Sequence, residues 1–213
     1  MSRESLDLTQ DHNAQSGRSA EQALAVKAFI ARFAKKDVSS EILGDYDIAP
    51  VCLPYEIPHG GTKGTSPNKI YIETPTGFEL QHKRKLIAAI TYEPVAGSAL
   101  QVRQLQGAEG STAALQPIKW ERLLLASLIE YAKQVPGITE VWVPAARTLP
   151  FYHQALGLRR DRSKEEHQAT MRLHYDTTPK RIGFKWNEEG KYWFYELPKS
   201  SDTERVKPKD SRE

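Results

Sequence analysis

One stretch, WERLLLASLIEYAKQ at 120–134, constrains most of what this chain can fold into. Trp120, Leu124, Leu128 and Tyr131 recur at helical spacing, with Leu125, Ile129 and Ala132 beside them, and Pro136-Gly137 ends the run. Before it, ALQVRQLQ (99–106) alternates as a strand does. After it, ITEVWVP (138–144) reads as a short buried strand. A strand, a helix and a second strand in this order imply a parallel pair joined by a right-handed crossover. The chain therefore needs a sheet with at least one helix packed on it, which is a mixed α/β (α+β) domain.

The rest fills in around that unit. In AEQALAVKAFIARFAKK, Val26, Phe29, Ile30 and Phe33 share one helical face, with Ser19 as the expected N-cap, Gln22 as its capping-box partner and Lys35 and Lys36 in the last turn. KIYIET (69–74), KLIAAITYEP (85–94) and ALQVRQLQ form an antiparallel meander, with turns at PTG and VAGS. ARTLPFYHQAL (145–155) is a shorter helix, and ATMRLHY (169–175), RIGFKW (181–186) and KYWFYEL (191–197) are strands, the last two joined by a hairpin at Asn187–Gly190. Residues 1–19 and 199–213 carry few apolar anchors and read as disordered tails on a domain spanning 20–198.

Composition excludes several classes. Thirty basic against 27 acidic residues leave a net charge of only +3, too balanced to argue for nucleic acid as partner. No apolar run reaches the roughly 18 residues of a membrane span, so no membrane partner is expected. The N-terminus lacks the apolar core of a secretory leader, so a cytoplasmic setting is expected. Cys52 is the sole cysteine, which removes intrachain disulfides and cysteine-based zinc sites, and no histidine spacing suggests a metal.

The element order, together with two local stretches, resembles the GCN5-related N-acetyltransferase (GNAT) superfamily. One stretch runs from LQVRQLQG through WERLLLASLIEYAKQVPGITEVWV. The other, LPFYHQALGL, is similar to the family's short helix, which carries a tyrosine a few residues before Gly-Phe, with Tyr152 at the tyrosine and Gly157-Leu158 standing for Gly-Phe. The resemblance implies a GNAT-like, mostly antiparallel central sheet flanked by helices, and an acyl-CoA-dependent N-acyltransferase that uses acetyl-CoA or another acyl-CoA as co-substrate. It implies that an amine, on a small molecule or a protein, attacks the thioester directly. A backbone N–H near Leu105, Gln106 and Gly107 would polarise the carbonyl, and Tyr152 would protonate the departing sulfur. A homodimer is a further expectation.

The phosphate end of such a co-substrate is where this chain departs from the resemblance. The family's loop has the form Gln/Arg-x-x-Gly-x-Gly/Ala ahead of the helix, because glycine lets phosphates approach the backbone. Next to the helix the matching window is Gln116 to Glu121, in which Lys119 and Glu121 replace both glycines, around Trp120. Directly after the strand, Gln104 to Glu109 keeps only Gly107. Lys119 can pair with a phosphate, and Glu121 would repel one. Hence an alternative is carried alongside the enzyme: a non-catalytic GNAT-like binding or interaction protein that has lost the phosphate cradle. Tyr152 can equally be a packed ring with a bonded hydroxyl. Glu73, Glu79 and Glu93 are candidate bases that no spacing separates, and His82 and His153 read as surface polar groups.

Overall fold

The computed structural model describes residues 20–51, 74–95, 97–153 and 163–198. The expected strand at 69–74, the N-cap at Ser19, Cys52, the Gly157-Leu158 pair and both tails lie outside the described residues, apart from Thr74.

Helix α1 (Ala20–Ala31) and a short α2 (Ser40–Gly44) precede strand β1 (Tyr46–Pro50). Strands β2 (Gly77–His82), β3 (Lys85–Val95) and β4 (Ala99–Gly107) form the antiparallel meander. A single turn, α3 (Thr112–Leu115), leads to α4 (Trp120–Ala132), and β5 (Glu140–Pro144) follows. After a 3-10 turn at Ala146–Thr148 comes α5 (Pro150–His153). Helix α6 (Lys164–Arg172) continues through a π-helical turn (Leu173–Thr177) into α7 (Thr178–Arg181). Strands β6 (Lys185–Asn187) and β7 (Tyr192–Glu196) close the chain. All seven strands form one sheet in the order β1-β2-β3-β4-β5-β7-β6. Among the described strands only β4 and β5 pair in parallel, joined by α4 as the crossover rule requires. This is the mixed, mostly antiparallel sheet with flanking helices that the sequence predicts.

The core follows the periodicity of α4. Leu123, Leu124, Leu125 and Leu128 are fully buried against Ile90, Val102, Val141 and Val143 of the sheet. Tyr131 at the end of the stripe meets Phe78 and Tyr92 with ring centroids 5.6 Å apart in both cases. On the last two strands Trp186 and Trp193 pair across the hairpin, while Tyr192 stacks on Trp142.

Four expectations are corrected. First, α1 ends at Ala31 rather than at Lys36, because the chain there turns to pair with the segment entering α4. Ala34 bridges Ile118, Lys35 N–H donates to Pro117, and Lys119 N–H donates to Phe33. Second, the hairpin partner of β3 is 77–82. Its turn is Lys83-Arg84, both at positive φ, rather than PTG, and Gly77 instead starts the strand. A Cβ at Gly77 would meet the Ile90 carbonyl oxygen at 2.1 Å, so that strand start depends on glycine. Third, 169–175 is helix and π-turn, not strand. Ser163 and Glu166 form a capping box that starts α6, and the alternation in ATMRLHY is overridden by contacts from α6 to α5. His167 and Gln168 bond the carbonyls of Phe151 and Tyr152. Fourth, of the strand expected at 181–186 only its end is extended, because Arg181 closes α7.

Candidate active site at the β4–β5 splay

Strands β4 and β5 stay paired only at Ala99, Leu100 and Gln101. Just beyond, β4 carries a bulge: Thr91 pairs with Gln104 and Tyr92 with Val102, leaving Arg103 extra. A bulge bends its strand and increases its twist, so β4 turns away from β5 at this point. The outward backbone groups of β4 lose their strand partner where the two strands part.

The group that fills the opening is a tyrosine that the sequence reading did not single out. The Leu105 N–H donates to the Tyr175 hydroxyl at 2.8 Å, and both residues are buried. Tyr175 sits in the π-turn, a form of helix often found at functional sites. That turn is held from two sides by its neighbour. Asp176 Oδ1 accepts from the Ala146 N–H at 3.2 Å, beside the end of β5, and from Trp193 Nε1 at 3.1 Å on β7. The tyrosine therefore reaches the splay from a position pinned to two elements of the fold, the 3-10 turn after β5 and β7.

The predicted residues divide between this place and others. Leu105 lies at the splay. Gln106, next along, uses its side chain to accept from Gln104 Nε2. Gly107 ends β4 under Leu115 and Trp120; a Cβ there would come within 2.9 Å of Leu115 Cδ1. Trp120 opens α4, buried, with His174 edge-on at 5.1 Å. Gln116 ends α3 and is exposed, and Lys119 caps α4 with its backbone N–H donating to Phe33 at 2.8 Å. Tyr152 is buried in α5, and its hydroxyl accepts from Arg172 Nε at 2.7 Å on α6. Its observed partners join α5 to α6 rather than reaching β4. Among the other candidates, Glu93 pairs with Arg103 at 3.3 Å, His82 lies 3.9 Å from Asp45, and His153 Nε2 bonds the Arg147 carbonyl. Burial raises the Glu79 carboxyl above the usual range, against a hydrogen bond from Gln81 that lowers it. Glu73 lies outside the described residues.

The sequence carried no distinct signal for Tyr175: literal Gly-Phe pairs occur at Gly77-Phe78, six residues after Tyr71, and at Gly183-Phe184, eight residues after Tyr175. Reading 169–175 as a strand concealed the position of Tyr175.

The two ends of an acyl-CoA fare differently here. The acyl end fits: the Leu105 N–H points away from β3 and, among the described residues, donates to a hydroxyl, an arrangement a carbonyl oxygen can take over. The diphosphate end does not. The first turn of α4 holds the largely enclosed carboxyl of Glu121, which stands 3.5 Å from His174 Nε2. Burial raises that carboxyl, against the lowering effect of its own N–H, Lys35 and Arg122. A helix N-terminus favours an anion, and in α4 the protein supplies a carboxyl at that place itself.

No family model matches the chain, and no curated protein does. Among solved structures it is similar to the ribosomal-protein-S18-alanine N-acetyltransferase from Escherichia coli, at 11% identity over 88% of this chain and 96% of that one, TM-score 0.34. It is also similar to the GNAT family N-acetyltransferase YhbS from Escherichia coli, solved in complex with CoA, at 12% identity over 85% and 79%, TM-score 0.33. A third is the AtaT toxin bound to the C-terminus of the antitoxin AtaR, at 13% identity over 72% and 94%, TM-score 0.38. The first two are named as N-acetyltransferases, and the likeness at these values decides nothing about the reaction. The described sheet is mixed and mostly antiparallel, and its parallel β4–β5 pair parts next to a bulge in β4.

Proposed function

We propose that the chain transfers an acyl group from a thioester to an amine at the β4–β5 splay, with Tyr175 in place of Tyr152 as the proton donor. The observation that carries this reading is the 2.8 Å bond from the Leu105 N–H to the Tyr175 hydroxyl. A thioester, when bound, supplies an activated carbonyl and a sulfur leaving group. The Leu105 N–H, exchanging the hydroxyl for a carbonyl oxygen, stabilises negative charge that develops there. Tyr175 then stands beside the leaving group with an O–H to give. Asp176 fixes the turn that carries Tyr175 and is a positioning residue. Tyr152 is proposed to brace α5 against α6 through Arg172. A cytoplasmic, homodimeric protein is consistent with this reading, and the acceptor is an amine of small-molecule or protein origin.

The experiment is thiol release from acetyl thioesters in the presence of mixed amines, comparing the wild type with Tyr175→Phe and Tyr152→Phe. Tyr175→Phe is expected to lower kcat about tenfold or more, the lower end of general-acid effects, with the donor KM little changed. Tyr152→Phe should change kcat by less than about threefold. Equal losses in both variants, or loss only in Tyr152→Phe, contradict the assignment.

A second reading is favoured by Glu121. With a carboxyl already at the start of α4, the domain can be a non-catalytic relative that binds a partner or small molecule. Wild-type protein that neither binds nor turns over any thioester supports that reading.

A further inference from the structure

The start of α4 and the splay are linked by adjacent residues. His174 and Tyr175 follow one another in the π-turn. Tyr175 faces Leu105, and His174 faces Glu121 at 3.5 Å and Trp120 edge-on. The Glu121 and His174 side chains are only 15% and 13% exposed, so the carboxyl is enclosed rather than free to swing into water. A backbone donor beside it is also engaged: the Lys119 N–H goes to the Phe33 carbonyl at 2.8 Å. The charges of Lys35 and Arg122 lower the same carboxyl, against its burial.

This arrangement has a consequence for the donor. An anionic group placed at this helix start must approach a largely enclosed carboxyl of like charge, on a turn whose Lys119 N–H is already in use. An uncharged amide-and-alkyl arm meets no such penalty. Building on the acyl-transfer reading, we propose that Glu121, braced by His174, sets the donor class: a thioester on an uncharged pantetheine-type arm, with nucleotide diphosphate donors disfavoured. Glu121 is thus a specificity residue, and the acyl end of the site is indifferent to it.

The test is calorimetric titration of the full chain, as wild type and as Glu121→Gln, with acetyl-pantetheine and with acetyl-CoA. Glutamine keeps the shape and removes the charge, and circular dichroism checks that the fold is retained. A second variant, Glu121→Ala, covers the case in which glutamine perturbs packing. The expected result is that the wild type binds acetyl-CoA no more tightly than acetyl-pantetheine. The variants should gain about tenfold or more for acetyl-CoA, the size of one charged contact, with acetyl-pantetheine unchanged. Wild type binding acetyl-CoA about tenfold tighter than acetyl-pantetheine overturns the role of Glu121 and leaves the acyl-transfer reading standing. Variants that gain nothing for acetyl-CoA overturn it in the same way. If neither thioester binds any of the proteins, the acyl-transfer reading falls and this proposal falls with it.

Discussion

Tyr175 and Leu105, 70 residues apart in sequence, meet through a 2.8 Å hydrogen bond from the Leu105 backbone N–H to the tyrosine hydroxyl. The bond forms because two local irregularities coincide. The bulge at Arg103 turns β4 away from β5 and leaves an outward N–H without a strand partner. The π-turn at Leu173–Thr177 shifts the register of a helix so that a tyrosine faces that N–H. Removing the hydroxyl should therefore be felt in stability as well as in turnover. Tyr175→Phe leaves a buried donor unpaired, at a cost of about 1–3 kcal/mol. Urea denaturation measures it, and a loss below about 0.5 kcal/mol would show that water replaces the hydroxyl.

Asp176 carries a heavier structural role than its neighbour. One carboxylate oxygen serves both the Ala146 N–H and Trp193 Nε1. Asp176→Ala orphans two donors at once and should cost about 2–6 kcal/mol, reckoned from about 1–3 kcal/mol for each unsatisfied group. The same variant should lower kcat, because Tyr175 loses its fixed position. Stability lost with kcat unchanged would limit Asp176 to holding the fold together.

The central stripe of α4 gives a test of the packing. Leu124 is fully buried in the core cluster, and Leu124→Ala should cost about 2–5 kcal/mol for the lost burial and the cavity. Denaturant titration giving under about 1 kcal/mol would contradict the packing of α4 on the sheet.

Glu121 makes stability depend on pH in a defined direction. Burial raises its carboxyl above the unfolded value of about 4.3. Between that value and the raised one, the folded chain binds more protons than the unfolded chain, so stability falls as pH rises through this window. Lys35 and Arg122 lower the carboxyl and moderate the fall without reversing it. Glu121→Gln removes the dependence. The Tm of the variant relative to wild type should therefore rise between pH 4 and pH 7. A relative Tm that falls over this range would mean that the ionised carboxylate stabilises the fold.

The long-range order was legible wherever hydrophobic period and length agreed. The stripe of α4, the strands at 85–94 and 99–106 and the final hairpin all follow from residue spacing. Of the candidate site, the placement of several residues along the chain was legible. Leu105, Gly107 and Trp120 fall along the end of β4 and the start of α4, as their sequence neighbourhood implies. Tyr175 was hidden because ATMRLHY alternates like a strand, while the capping box of Ser163 and Glu166 and the contacts to α5 make it helical. The early end of α1 was hidden for a similar reason. Phe33 and Lys35 exchange helical bonds for a bridge to the residues entering α4, a tertiary choice that no local pattern records.

The most direct test of the acyl site is the amide signal of Leu105 in 15N-labelled protein during titration with acetyl-pantetheine. The account predicts that the Leu105 amide is among the most strongly shifted signals, because its N–H changes partner from the Tyr175 hydroxyl to a carbonyl oxygen. It also predicts that Tyr175→Phe alters the starting position of this signal while the titration still saturates. A Leu105 amide that stays in place while signals elsewhere move to saturation would contradict the account.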